Sequence, residues 1–159
     1  MASFESWLET NWFNLVQTVS IVVGLLFAGL SLRRDARSRR LSNLLVLKQE
    51  HRELWNTIHE KPGLARILQK EVDLVATPIT NEEETFLRQL IVHVAVAWEL
   101  IQDGTPLNLA GLRRDVAGVF SLPLPKLAWE RAREAQNRRF MKFVDRAVAT
   151  RLKRDKDRP

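Results

Sequence analysis

The sequence predicts an all-α protein in which one N-terminal transmembrane helix continues into a cytosolic helical bundle of about five helices. Three observations carry this prediction. Trp12 to Leu32 is a run of 21 residues with no ionisable side chain; as a helix rising about 1.5 Å per residue it would reach roughly 31 Å, the thickness of a bilayer's hydrocarbon core. Beyond it, apolar residues recur at helical spacing as far as about residue 150. No stretch alternates with the period of two expected of a half-buried strand.

The expected organisation is an outer interfacial segment over 1–11, a transmembrane helix over 12–32, a helical bundle over 33–152 and a disordered basic tail over 153–159. The first segment places Phe4, Trp7, Leu8 and Trp12 at helical spacing, with Glu5 and Glu9 turned away. That pattern suits one or two turns lying at the outer interface with the tryptophans at headgroup level.

Charge sets the expected orientation. The first 32 residues carry only Glu5 and Glu9, whereas Arg33, Arg34, Arg37, Arg39 and Arg40 follow the apolar run directly. By the positive-inside rule the C-terminal side is cytoplasmic and the N-terminus lies outside, in the inner (plasma) membrane. The acidic start and the absence of a small-residue cleavage motif favour an uncleaved anchor over a signal peptide. The same arginines are candidates for contact with anionic lipid, at about 1 kcal/mol per basic residue near the surface.

Within the apolar run, Gln17, Ser20, Gly24, Ala28 and Ser31 fall on one arc of about 80° when placed at 100° per residue. Ser20, Gly24 and Ala28 form a small-xxx-small series, which lets helix backbones approach closely, and Gln17 can hydrogen-bond across such a contact. This face is the candidate oligomer or pore-lining surface.

No Pro or Gly separates the arginines from Leu41, Leu44, Leu45, Leu47, His51, Leu54, Trp55 and Ile58, so a single helix is expected to run on to Lys61-Pro62-Gly63. A short helix over about 64–75 follows, with Leu64, Ile67, Leu68 and Val72 as its inner side. Thr80-Asn81-Glu82-Glu83 is a capping box, opening a helix to Ile101 that is apolar almost all round and suited to the bundle's centre. Asp103-Gly104-Thr105-Pro106 turns the chain into an amphipathic helix ending near Phe120. Leu122-Pro123-Leu124-Pro125 is expected as a rigid connector, with Pro125 suited to a helix first turn. A last helix over about 126–152 would then bury Trp129, Ala132, Phe140, Phe143, Val144 and Ala147, with Glu134 and Arg138 as an i,i+4 pair.

The chemistry-bearing residues are few. Without cysteine there is no disulfide, thiol nucleophile or Cys-ligated zinc. The three histidines, His51, His59 and His93, form no cluster at metal-ligand spacing, so neither metal nor cofactor is expected. His51 and His93 sit on apolar faces, as core histidines bonded to neighbours would. Arg52 and His59, seven apart on one helix edge, are the alternative catalytic pair: a histidine to move a proton and an arginine to hold a phosphate.

That pair resembles the R-x(4–6)-H motif of the HEPN all-helical superfamily, whose ribonucleases pair two such motifs at a dimer interface. Here it lies on the helix leaving the apolar run rather than late in the domain. The wider layout, including Trp98, a Gly-containing turn and the late Pro125, Trp129, Glu130 and Arg131, resembles uncharacterised short bacterial single-pass membrane proteins. It is also similar to the pore-forming accessory proteins of RNA-targeting CRISPR systems, in which a membrane helix oligomerises with a HEPN-like cytosolic domain. These resemblances imply an antiviral role and place the Gln17–Ser31 stripe at the assembly's contacts or channel.

The expectation is therefore a non-enzymatic, membrane-anchored protein that assembles with itself or a protein partner and acts as scaffold, sensor or membrane-perturbing effector. The alternatives are a module binding RNA or anionic lipid through its basic surface, with residues 33–159 at +8, and a membrane-tethered HEPN-like ribonuclease.

Overall fold

The computed structural model describes residues 2–156, with side chains from Asn11 onward; the interfacial reading of Phe4, Trp7 and Leu8 and the end of the tail lie outside these described side chains. The described chain is all-helical, without strands: α1 (Ala2–Glu60), a 3-10 segment (Pro62–Leu68), α2 (Asn81–Gln102), α3 (Leu109–Val119), α4 (Pro123–Ala132), a 3-10 turn (Arg133–Ala135) and α5 (Arg138–Lys156). It divides into two compact units, Met1–Asn43 and Leu44–Pro159.

In the first unit α1 is unbroken, as expected from the lack of Pro and from good helix formers around Arg33–Arg40. Its apolar side chains are exposed throughout, Leu25 to 68% and Phe27 to 74%. The Thr18 hydroxyl donates to the Asn14 carbonyl at 2.7 Å, satisfying itself within the helix. One helix is thus long and apolar enough to cross a membrane, with a mean hydropathy of 2.1 over its most apolar window.

The second unit is organised round a core of Leu64, Ile67, Phe86, Leu87, Ile91, Trp98, Val116, Phe120, Leu124, Trp129, Phe140 and Val144. Phe140 lies between two indoles, its ring centroid 5.9 Å from Trp98 and 5.7 Å from Trp129. α2 starts where the capping box puts it: Thr80 accepts from the Glu83 N–H, and Glu83 accepts from the Thr80 N–H. It is less central than its composition implies, since Val92 is 58% exposed. Its buried side carries Phe86, Leu87, Ile91, Val94, Ala97 and Trp98.

Three expectations are corrected. The helix over 64–75 is a 3-10 segment ending at Leu68. The chain after it is held by side chains instead: Arg66 donates to the carbonyls of Thr77 and Pro78, and Asp73 Oδ1 accepts from the N–H groups of Val75 and Ala76. Leu122-Pro123-Leu124-Pro125 is not a connector: α4 already begins at Pro123, and Pro125 lies, as expected, in a helix first turn, where a missing N–H costs nothing. The single last helix is two. Asn137 Oδ1 accepts from the Arg139 N–H at 2.8 Å, starting α5 afresh, so Glu134 and Arg138 fall in different elements. Arg133 pairs with Asp145 at 2.7 Å instead, and Asp145 also accepts from the Trp129 indole N–H. α5 continues to Lys156.

Candidate functional site

The second unit holds a cleft of about 800 Å³, between the later turns of α1 and helices α2, α3 and α5. α1 contributes His51 and Trp55, one turn apart and so on one face. The Trp55 indole N–H donates to His51 Nε2 at 3.0 Å. His51 Nδ1 lies 3.3 Å from His93 Nε2, on α2. The indole can only donate, and that fixes the order of protons. His51 Nε2 must be bare, so in the neutral ring Nδ1 carries the hydrogen and donates to His93 Nε2. The His93 proton is then left on Nδ1.

His93 Nδ1 is buried and has no hydrogen-bond partner; Glu50 Oε2 is 3.8 Å away, too far for a hydrogen bond. Burial first, and then neighbouring His51, push the His93 imidazole below its ordinary pKa, while Glu50 acts in the opposite direction. A second proton on His93, at Nε2, would set two donors against each other between the two rings. The contact between the rings, like burial, therefore favours the neutral form of His93.

The cleft's remaining polar lining is Lys48 from α1, Asn108, Arg114 and Asp115 from the α3 region and Arg151 from α5. A second polar centre is structural. Glu83, 3% exposed in its side chain, takes a two-point bond from Arg66, Nε to Oε1 and Nη2 to Oε2, both at 2.7 Å. The Arg66 hydrogen bonds hold the Glu83 carboxyl below the usual range despite its burial.

The other residues singled out in the sequence lie elsewhere. Arg52 and His59 are exposed on α1 and neither borders the cleft. His59 Nδ1 meets the Trp55 carbonyl at 2.7 Å, which requires a proton there and leaves Nε2 free. Gln17, Ser20, Gly24, Ala28 and Ser31 are exposed, and nothing lies within 4 Å of a Cβ placed at Gly24. Arg33, Arg34, Arg37, Arg39 and Arg40 are exposed and, among the described residues, in no ion pair. No group of metal-ligating side chains occurs among the described residues.

No family model, curated protein or solved structure matches the chain.

The sequence placed His51 and His93 on apolar faces but could not join them across 42 positions. The role of Arg66 was likewise hidden, because its partner is far along the chain. The one available signal was Glu83, already marked by the capping box as a carboxylate held at a helix start.

Proposed function

We propose that this chain is a membrane-anchored, self-assembling helical protein of the inner membrane, acting as scaffold, sensor or pore-like effector, with residues 44–159 in the cytoplasm. The observation that carries the reading is the exposure of residues 12–32: an apolar helix whose mean hydropathy reaches 2.1 is buried nowhere against its own chain. Water is a poor environment for so much contiguous apolar surface, and lipid or copies of the same helix would remove it. The Gln17, Ser20, Gly24, Ala28 and Ser31 face supports contact between copies, because small residues let backbones approach and Gln17 needs a partner in hydrocarbon. Chemical crosslinking in native membranes is expected to yield multimers, and Gly24→Leu to abolish them by separating the backbones. Monomers alone in the wild type would sink the self-assembly reading.

A second reading rests on the exposed, unpaired arginines over 33–40: binding to RNA or anionic lipid. Neutralising phosphates releases counterions, so such binding should weaken steeply as salt is raised. A flat salt response would remove it.

A further inference from the structure

The cleft in the second unit has the size of a small-molecule site. Its roughly 800 Å³ falls within the range of ligand pockets, which are mostly apolar with a few placed polar groups. Leu47, Leu90, Val94, Leu112, Val116 and Phe120 supply apolar wall, drawn from α1, α2 and the α3 region. The charged rim is unbalanced: Lys48, Arg114 and Arg151 against Asp115. Lys48 and Arg114 have no ion-pair partner among the described residues, and Arg151 has only Asp155, at 3.5 Å on its own helix.

The α3 wall adds an independent observation. Gly111 and Gly118 both border the cleft, two turns apart on one face of an 11-residue helix. Glycine is the poorest helix former apart from proline, and neither position has a positive φ that would demand it. At Gly118 the effect is to leave out a side chain where the cleft is, whereas a Cβ at Gly111 would touch the capping Asn108 side chain, 3.4 Å from its Cγ. A Cβ at Gly118 would stand 3.8 Å from Arg151 Nη1 and meet nothing else within 4 Å, so Gly118 leaves the helix backbone open beside that guanidinium.

We propose that this cleft binds an amphipathic anion: a single apolar chain bearing a carboxylate or phosphate head, the chain against the α2 and α3 walls and the head among Lys48, Arg114 and Arg151. A neutral apolar molecule would leave those cations unmatched, and a small inorganic anion would leave the apolar walls wet. The inference stands on residues 44–159 alone, and holds whether or not residues 12–32 cross a bilayer.

The test uses the full-length protein in phosphatidylcholine nanodiscs, irradiated with a diazirine-bearing palmitate and mapped by peptide mass spectrometry. Label is expected on peptides covering 90–101 and 107–120, displaced by excess oleate or lysophosphatidate but not by oleyl alcohol. Whichever anion displaces at lower concentration identifies the head. Gly118→Leu fills the cleft and replaces a helix-weakening glycine, so it is expected to stay folded and to take up about tenfold less label, equivalent to about 1.4 kcal/mol in affinity. The double variant Lys48→Gln, Arg114→Gln should show a similar loss, and decides the matter should the first fail to fold. Label confined to residues 12–32, undiminished label in the folded variants, or equal displacement by oleyl alcohol would each overturn the proposal.

Discussion

Glu83 closes the capping box of α2 and at the same time holds Arg66 with both carboxylate oxygens. Removing it leaves the Thr80 N–H and the Arg66 guanidinium without their acceptor. Glu83→Ala is expected to cost about 2–3 kcal/mol, the loss of charge-assisted hydrogen bonds together with a helix cap, measurable by urea unfolding. Because its carboxyl is held below the ordinary range, the contribution is complete above the unfolded-state pKa of about 4.3 and is lost as the pH falls through the lower folded value. His93 has the opposite charge type but the same direction of shift. Its imidazole is pushed down by burial and by His51, so the unfolded chain binds the proton more readily. Stability therefore falls as the pH drops from about 6.5 toward the lowered folded value. The melting temperature should be lower at pH 5.5 than at 7.5, and His93→Leu should narrow that gap. An unchanged gap would mean that another group governs the pH response.

At the level of elements, the boundaries legible in the sequence are those made by local chemistry. Thr80 and Glu83 marked the start of α2 because a capping box is closed within four residues. Lys61-Pro62-Gly63 marked the end of α1 for a similar reason. The break before α5 was missed because apolar periodicity runs through it: Trp129, Ala132, Phe140 and Phe143 read as one face. Asn137 starts the new helix by accepting from the Arg139 N–H, while Arg133 reaches across to Asp145. Asn137→Ala is expected to destabilise the protein by about 1 kcal/mol, the usual worth of an N-cap, seen as a lowered urea midpoint with unchanged slope. The 3-10 segment over Pro62–Leu68 was misjudged for a related reason. Leu64 and Ile67 do face inward, but Arg66 ties the following chain to Glu83, Thr77 and Pro78, and that competes with a longer helix.

For the molecule as a whole, the charge asymmetry about residues 12–32 makes a definite topological prediction. A tag on Pro159 should resist protease added to intact cells and become accessible once the inner membrane is opened; accessibility in intact cells would reverse the orientation. The all-helical class and the long apolar helix were legible because both depend on hydrophobic periodicity and length, which are properties of consecutive residues. The content of the second unit's cleft was not. Its walls come from α1, α2, the α3 region and α5, and only their packing brings Lys48 and Arg151, a hundred positions apart, to one opening.

The sequence by itself determined that the chain is helical, where its long apolar helix lies and which end carries the positive charge, since these follow from short-range pattern and solvent preference. The tertiary structure alone decided that His51 meets His93, that Arg66 finds Glu83, and that Gly118 borders a cleft beside Arg151 of α5. Hydrogen bonds and cavities depend on distances of a few ångströms between elements, and no one-dimensional pattern encodes those distances.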